Sequence, residues 1–265
     1  MRKAVITGST KGIGFAFARE LLRRGHSVAV TGRARTTVDE AVARLRPEAA
    51  GGAVVHGHAL DVADAAQVEE LWTAAADALG GVDLWINNAG VAHTTRPIVE
   101  TTPDAVRAMV TTNMLGTVHG SQVAVRGMRA AGGGQVFNVL GGGSDGRVRP
   151  GMGVYSATKR GLDSFTSALV KEVAGTGVRV GRVSPGILIT DGWLREAAAA
   201  PEQVAAQRRI LNILCDHVDE VAPYLVDRML AGTRNGEAVA WLTTARMARK
   251  FLLPRKEDVL ARYGL

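Results

Sequence analysis

Short apolar, β-branched runs alternate along the chain with longer segments in which apolar residues recur every three or four positions. The runs predict buried strands and the longer segments predict amphipathic helices. The predicted strands are Lys3–Thr7, Ser27–Thr31, Ala53–Ala59, Leu84–Asn87, Gln135–Val139 and Arg179–Ser184. The predicted helices are Gly12–Arg24, Thr37–Leu45, Ala65–Leu79, Pro103–Thr112 continuing to Arg129, and Val154–Val173. Strict alternation of strand and helix predicts an α/β fold, with a doubly wound parallel sheet covered by helices on both faces.

The alternation becomes irregular beyond Pro185. The pattern there predicts helices at Leu194–Ala206 and Asp216–Leu230, a last strand at Val239–Thr243, and a stretch of alternating basic and apolar residues at Arg246–Leu253. No Ser/Gly-rich linker sets this part apart, so we predict a single domain over residues 1–265. Within it, residues 1–186 form the expected core, and residues 187–265 form a lid over the substrate and a C-terminal segment.

Composition narrows the classes of function. The 265 residues carry a formal net charge of +7, but the basic residues are scattered and aromatics make up only 5%, which favours a solvated Arg-rich surface over a nucleic-acid site. A positive surface also attracts an anionic cofactor or substrate. The single cysteine excludes an internal disulfide, and no metal site is expected. Met1 leads directly into a strand and no apolar run approaches ~20 residues, so we predict a cytoplasmic protein without a transmembrane segment.

A glycine-rich turn follows the first strand and opens the first helix. Glycine permits a tight turn and lets backbone N–H groups approach a pyrophosphate, to which the helix N-terminus adds about half a positive charge. The alternative is a turn of this kind without a ligand. The candidate cofactor-binding residues of the turn are Gly8, Ser9, Lys11, Gly12, Ile13 and Gly14.

The end of the second strand bears on the choice of cofactor. An acidic residue there would bind the ribose diol of NAD, but the chain has Thr31-Gly32-Arg33 instead. The guanidinium of Arg33 is a bidentate partner for a 2′-phosphate, and Lys11 is a second cation nearby. The sequence therefore favours NADPH/NADP over NAD, with a plain surface charge as the alternative role of Arg33.

A Tyr-x-x-x-Lys pair carries the candidate chemistry. The spacing places Tyr155 and Lys159 on one face of a helix. An ammonium ~4 Å from a phenol, at an effective dielectric of ~20, contributes about 4 kcal/mol, or roughly three pKa units. We therefore expect Lys159 to lower the pKa of Tyr155 towards the range of a general acid–base. An incidental helical pair is the alternative.

Together these motifs resemble the short-chain dehydrogenase/reductase family. The resemblance rests on the Thr-Gly-x-x-x-Gly-x-Gly turn, Asn87-Asn88-Ala89-Gly90, Tyr155 to Lys159, and Pro185-Gly186 followed by Thr190. It implies a Rossmann-type fold, a homodimer or homotetramer, and a small-molecule carbonyl substrate. It also implies further cofactor contacts, at Asp61, Val62, Asn88, Ala89, Gly90, Lys159, Pro185, Gly186 and Thr190.

The resemblance assigns two more catalytic candidates. It implies that Asn113 holds a water in a proton relay below Lys159. The family's serine, about thirteen residues before the tyrosine, is missing here, where the chain has Gly141-Gly142-Gly143. Ser144 could fold back to polarise the carbonyl, or backbone N–H groups of the loop could do so instead.

Within the family, the chain most resembles the chlorophyll(ide) b reductases. The shared segments include Gly141–Arg147 (GGGSDGR) and Tyr155–Gly161 (YSATKRG), whereas Leu140 departs from the aspartate expected there. The expected reaction is reduction of a carbonyl to an alcohol on a bulky substrate. The resemblance implies a tetrapyrrole whose 7-formyl group is reduced to hydroxymethyl. Ile187–Cys215 is the expected mobile lid. The alternatives are reduction of another aldehyde or ketone, NAD-dependent alcohol oxidation, and a non-catalytic dinucleotide sensor.

Overall fold

The computed structural model of the chain describes residues 1–147, 149–253 and 258–263. Its centre is a seven-stranded parallel sheet in the order β3-β2-β1-β4-β5-β6-β9, and a separate parallel pair, β7-β8, lies beyond it. The strands are β1 Lys3–Ile6, β2 Ser27–Gly32, β3 Val55–Ala59, β4 Leu84–Asn87, β5 Gly134–Val139, β6 Val178–Ser184, β7 Ile187–Ile189, β8 Cys215–His217 and β9 Ala238–Ala240.

Helices cover both faces of the sheet. They are α1 Gly12–Arg23, α2 Arg35–Leu45, α3 Ala65–Leu79, α4 Pro103–Met109, α5 Gly116–Ala130, α6 Gly153–Glu172, α7 Asp191–Ala199, α8 Pro201–Leu214, α9 Val218–Ala231 and α10 Thr244–Leu252. One buried core lies beneath α1, α2 and α9, and the other beneath α3, α5 and α6. The predicted doubly wound α/β fold in a single domain is confirmed.

The alternation of side chains along the central strands explains the two cores. Successive residues of a strand point to opposite faces, so Ala4 and Ile6 of β1 join one core while Val5 between them joins the other. All three are fully buried. A strand buried on both sides is apolar at every position, which is why this run predicts a central strand of a parallel sheet.

The order of the strands reverses between β1 and β4. β1 pairs with β2 on one side and with β4 on the other, so the loops that follow β1 and β4 diverge and leave a crevice at the carboxyl edge of the sheet. The glycine turn follows β1 and the Asn87–Gly90 motif completes β4. Both predicted cofactor motifs therefore meet at this crevice.

The predicted long helix from Pro103 to Arg129 is interrupted. Residues Val110–Leu115 form a π-helical segment between α4 and α5, and Asn113 lies within it. Such segments are rare, interrupt α-helices, and are found frequently at functional sites.

The C-terminal part differs most from its sequence prediction. The helix predicted at Leu194–Ala206 is two helices, because Pro201 begins α8 and disfavours helical backbone at Ala200, where φ is −140° and ψ is 60°. The helix predicted from Asp216 begins at Val218, and Asp216 lies in β8. Among the helices of the described ranges, none has both the length and the apolarity to cross a membrane.

Candidate active site

The glycine turn after β1 packs directly against the Asn87–Gly90 motif. A Cβ atom on Gly8 would lie 2.7 Å from the Cα of Ala89, and the backbone at Gly8 has a φ of +63°. The side-chain amide of Asn88 donates to the carbonyl oxygens of Thr7 and Gly8, each at 2.9 Å. Gly8 and Asn88 therefore fix the two motifs to each other.

Ser9, predicted to bind the cofactor, has a structural role through its side chain. Its hydroxyl donates to the carbonyl oxygen of Ile6 at 2.7 Å and accepts from the backbone N–H of Thr31 at 2.9 Å. The residue is fully buried. The hydroxyl therefore joins β1 to β2 instead of facing the crevice.

The first turn of α1 suits a phosphate group. No side chain caps its N-terminus, where Lys11 is the N-cap residue, and Gly12 adopts a φ of +59°. Uncapped N–H groups at a helix N-terminus attract an anion. Lys11 and Arg33 are exposed at the same edge of the sheet, and no acidic residue ends β2. These donors and cations fit a dinucleotide phosphate.

The other predicted cofactor residues surround the same crevice with differing exposure. Asp61 is exposed and accepts from the backbone N–H of Ala63 at 2.9 Å, whereas Val62 is buried. Thr190 lies beside the glycine turn, its Cγ2 3.6 Å from where a Cβ on Gly12 would lie. The last residue of the segment Pro185–Thr190 therefore lies against the phosphate-binding turn.

Tyr155 and Lys159 occupy the first two turns of α6. The Lys159 ammonium nitrogen lies 5.8 Å from the centroid of the Tyr155 ring and donates to the carbonyl oxygen of Val139 at 3.1 Å. Lys159 is only 5% exposed. The predicted pair is therefore brought together at the carboxyl end of β5, one strand away from the crevice between β1 and β4.

The electrostatics of the pair differ from the sequence prediction. Burial, reinforced by the carboxylate of Glu196, raises the pKa of Tyr155 to about 12. Burial lowers the pKa of Lys159 to about 8. The prediction that the ammonium lowers the pKa of Tyr155 is wrong for this arrangement. Loss of water around the phenolate outweighs an ammonium that is directed at a backbone carbonyl.

Asn113 lies at the centre of the site. It is fully buried, its side-chain oxygen accepts from the backbone N–H of Val91 at 2.8 Å, and its amide donates to the carbonyl of Val91 at 3.0 Å and the hydroxyl of Thr158 at 3.1 Å. A Cβ on Gly90 would lie 3.4 Å from the Asn113 side-chain oxygen and 3.8 Å from the Lys159 ammonium. The π-helical segment thus brings Asn113 close to Lys159, while its water-holding role stays a prediction.

Gly141 closes the site above Tyr155. A Cβ atom at this position would collide with the Tyr155 hydroxyl oxygen and would lie 3.4 Å from the Cε of Lys159. The phenol therefore fits only because residue 141 has no side chain.

Ser144 contacts the outside of α6 through its backbone. Its carbonyl oxygen accepts from the exposed Arg160 at 2.9 Å, and its N–H donates to the carbonyl of Gly141 at 3.2 Å. Across the described residues no hydrogen bond of the Ser144 hydroxyl is present. Its proposed role in polarising the carbonyl stays a prediction.

We expect Gly141→Ala to lower kcat at least tenfold while the protein remains folded. The added methyl group would displace the Tyr155 hydroxyl, and small displacements of a reacting group cost large factors in rate. Steady-state kinetics beside circular dichroism would measure this. Gly146→Ala, in the same loop, is the control, because a Cβ there meets nothing closer than 3.9 Å, although its φ of +82° adds some strain. Equal losses in both variants would contradict the steric argument.

The sequence reasoning missed two residues near the site. Glu196 of α7 accepts a hydrogen bond from the backbone N–H of Thr94 at 3.1 Å and another from the Thr94 hydroxyl. Neither residue belongs to a motif, and Glu196 lies in an Ala-rich segment whose helical pattern gives no sign of which side chain faces the crevice.

The fold and the site together define a class of protein. A doubly wound sheet with a phosphate-binding turn, and a Tyr–Lys pair beside it, is the arrangement of a nicotinamide-dinucleotide oxidoreductase. Residues 2–200 match the family described as short chain dehydrogenase, so the chain belongs to that family.

The relatives that match over most of the chain include chlorophyll(ide) b reductases. The chain is 37% identical over 261 residues to a "probable chlorophyll(ide) b reductase" of Arabidopsis thaliana, covering 93% of this chain and 51% of the relative. It is 38% identical over 232 residues to a chlorophyll(ide) b reductase of Oryza sativa subsp. japonica, covering 86% of this chain and 66% of the relative. The predicted resemblance to these reductases is confirmed. The chain spans about half to two thirds of their length.

Solved structures agree on the fold. Levodione reductase superimposes with a TM-score of 0.82 at 25% identity, covering 93% of this chain and 98% of that one. A gluconate 5-dehydrogenase from Burkholderia cenocepacia superimposes with a TM-score of 0.75 at 27% identity, covering 91% and 93%.

The predicted cytoplasmic location is contradicted. The chlorophyll(ide) b reductases of Arabidopsis thaliana and Oryza sativa subsp. japonica that match over most of the chain are named as chloroplastic proteins. The position at which the given sequence begins is therefore no guide to the location of the protein.

Proposed function

We propose that the protein uses NADPH to reduce a carbonyl group of a bulky substrate to an alcohol. The observation that carries the proposal is the Tyr155 hydroxyl, which lies under Gly141 with Lys159 one turn further along α6 and Asn113 beside it. A bound NADPH supplies the hydride. Everything else in the reaction is the work of the chain's own residues.

Tyr155 donates the proton. As hydride reaches the carbonyl carbon, the C=O π bond breaks and its electron pair takes a proton from the Tyr155 hydroxyl, giving the alcohol. A phenol with a pKa of about 12 is protonated at neutral pH and ready to donate. Lys159, which carries an ammonium group at neutral pH, returns a proton to Tyr155, and the role proposed for Asn113 is to hold a water in that relay.

The preference for NADPH rests on charge at the end of β2. Arg33 and Lys11 are exposed cations beside the crevice, and no carboxylate is present there to bind a ribose diol. Two structures of the same fold, at 26% and 27% identity, are complexes with NADP. Both observations support a 2′-phosphate contact at Arg33.

We expect Arg33→Ala to weaken NADPH binding about tenfold or more and to leave NADH binding nearly unchanged. A charge-assisted guanidinium–phosphate contact contributes roughly 1.5–3 kcal/mol. Nucleotide titration followed by fluorescence measures both affinities. Arg46→Ala, an exposed change of the same charge at the far end of α2, is the control. Retention of the wild-type NADPH preference in Arg33→Ala would exclude the proposed contact.

A bulky, tetrapyrrole-like substrate is proposed from the relatives and from the lid. The relatives matched over most of the chain are named for chlorophyll(ide) b reduction. The lid contributes Trp193 and Leu194, which are only partly buried. Reduction would then convert a formyl group on the ring to hydroxymethyl.

NADPH consumption against a panel of aldehydes and ketones tests the proposal. The panel includes chlorophyllide b, other large ring systems and small aromatic aldehydes. We expect turnover of aldehydes, with chlorophyllide b among the best. Turnover of other aldehydes but not of chlorophyllide b would exclude the tetrapyrrole substrate and would still support the proposed reductase activity. Absence of any turnover would favour a dinucleotide sensor.

The homodimer or homotetramer implied by the family stays a prediction. Light scattering coupled to size-exclusion chromatography measures the mass in solution, to be compared with 27.8 kDa for one chain.

A further inference from the structure

Helix α7 spans the crevice from the phosphate-binding turn to the catalytic tyrosine. At its start, the Thr190 hydroxyl caps the helix by accepting from the backbone N–H of Trp193 at 3.2 Å, and Thr190 also faces Gly12. Further along, Glu196 accepts hydrogen bonds from Thr94, in the loop that follows β4. The helix is therefore held at both ends of the site.

Contacts of Thr94 link this helix to the catalytic helix. A Cβ on Gly151 would lie 2.8 Å from the carbonyl oxygen of Thr94, and Gly151 lies two residues before α6. Tyr155 is in the first turn of α6. The Glu196 carboxylate thus lies where α7, the loop after β4 and the start of α6 converge, and its charge acts on the Tyr155 phenol, raising the pKa of that group.

The hydrogen bonds that Glu196 accepts from Thr94 come from neutral groups. Thr94 donates both of its hydrogen bonds to the same oxygen, Oε2. Among the described residues, no Lys, Arg or His forms an ion pair with Glu196. This half-buried carboxylate makes a negative contribution to the potential at Tyr155, opposite in sign to that of the nearby Lys159 ammonium.

We propose that Glu196 determines substrate specificity by excluding negatively charged groups from the neighbourhood of the reacting carbonyl. The inference rests on the proposed reductase function and deepens it. A substrate carbonyl that reaches Tyr155 brings its nearest substituents towards the Glu196 carboxylate. Like charges repel strongly in a site with little water, so neutral and cationic substituents are accepted and carboxylates are disfavoured.

Two aldehydes that differ only in charge test the inference. The first pair of substrates is 4-formylbenzoate and its methyl ester. If the enzyme reduces another aldehyde, the carboxylic acid and the ester of that aldehyde form a second pair. We expect wild-type kcat/KM to favour the ester. Glu196→Gln keeps an oxygen acceptor for Thr94 and removes the charge, so the ester-to-acid ratio is expected to fall about tenfold. Glu172→Gln, an exposed glutamate 17 residues beyond Tyr155 on α6, is the control and leaves the ratio unchanged.

The possible outcomes distinguish failure of this inference from failure of the proposed reductase function. An unchanged ester-to-acid ratio in Glu196→Gln overturns the inference, and so does an equal loss with both substrates, which would indicate a structural role. If wild-type enzyme reduces neither compound nor any other aldehyde, the proposed function itself fails.

A measurement on the wild-type enzyme covers the case in which Glu196→Gln does not fold. The ester-to-acid ratio is expected to exceed one for every acid and ester pair that the wild-type enzyme reduces, because the Glu196 carboxylate repels the acid. A ratio at or below one overturns the inference without any variant.

Discussion

Replacing Tyr155 by Phe is expected to lower kcat for carbonyl reduction by a factor of about 10²–10⁴, the usual contribution of a general acid. The substitution removes one oxygen atom from a ring that lies beside Lys159 and under Gly141. It adds no atom that could clash with a neighbour. The hydride could still reach the carbonyl carbon, but no group at that position could then protonate the oxygen. Single-turnover kinetics with a saturating aldehyde isolate this step.

Cofactor binding is the control for this variant. Tyr155→Phe is expected to bind NADPH within about twofold of wild type, because the proposed phosphate contacts are made by the glycine turn and Arg33. Loss of turnover with retained binding would support the role of the phenol. A variant that keeps wild-type turnover would assign proton donation to another group, and a sensor would keep its output in the variant.

Much of the fold follows from local pattern. Runs such as Val5-Ile6 and Val28-Ala29-Val30 are apolar at consecutive positions, which a half-exposed strand is not, so they predict a sheet buried on both faces. The glycine turn is also visible in the sequence, because positive φ at Gly8 and close approach to Ala89 require a residue without a side chain.

The site was less predictable because it depends on contacts between distant segments. A spacing of four residues places Tyr155 and Lys159 on one helix face, but it carries no information on burial, which sets the pKa of both groups. Glu196 lies 102 positions from Thr94 in sequence. The π-helical backbone at Asn113 likewise depends on the packing of α4 and α5 against their neighbours rather than on helix propensity.

The two short strands β7 and β8 were missed for a similar reason. Each has only three residues, and the two pair although α7 and α8 lie between them in the chain, with Leu188 opposite Asp216. Asp216 is fully buried, a position where a carboxylate requires partners. Its oxygens accept from the indole N–H of Trp241 at 2.6 Å and from the ammonium of Lys250 at 2.7 Å. The pairing therefore depends on a helix 34 residues further along the chain.

This ion pair connects α10 to the segment that follows Pro185. Lys250 also donates to the carbonyl oxygen of Ile213 at 3.3 Å, at the end of α8. The Lys250 side chain of α10 therefore contacts both β8 and the end of α8. β8 in turn pairs with β7. Because β7 directly follows Pro185-Gly186, the geometry of the proposed nicotinamide contacts depends on the C-terminal helix.

Lys250→Met is accordingly expected to lower the free energy of unfolding by about 2–3 kcal/mol. Removing one partner of a buried pair costs roughly 3–5 kcal/mol, and the value expected here is smaller because the Lys250 side chain is 16% exposed. The buried Asp216 carboxylate would lose the Lys250 ammonium and keep the Trp241 hydrogen bond. Urea denaturation followed by circular dichroism measures the change, and KM for NADPH is expected to rise severalfold as β7 loosens.

The matched control is Lys171→Met, the same substitution at an exposed lysine near the end of α6, which should change the free energy of unfolding by less than about 0.5 kcal/mol. The double variant Asp216→Asn/Lys250→Met removes both charges. It should recover part of the loss, because the cost of Lys250→Met arises from leaving a buried carboxylate with less compensation for its charge rather than only from losing an attraction. A double variant less stable than Lys250→Met would mean that the Asp216 carboxylate is held mainly by neutral donors such as Trp241.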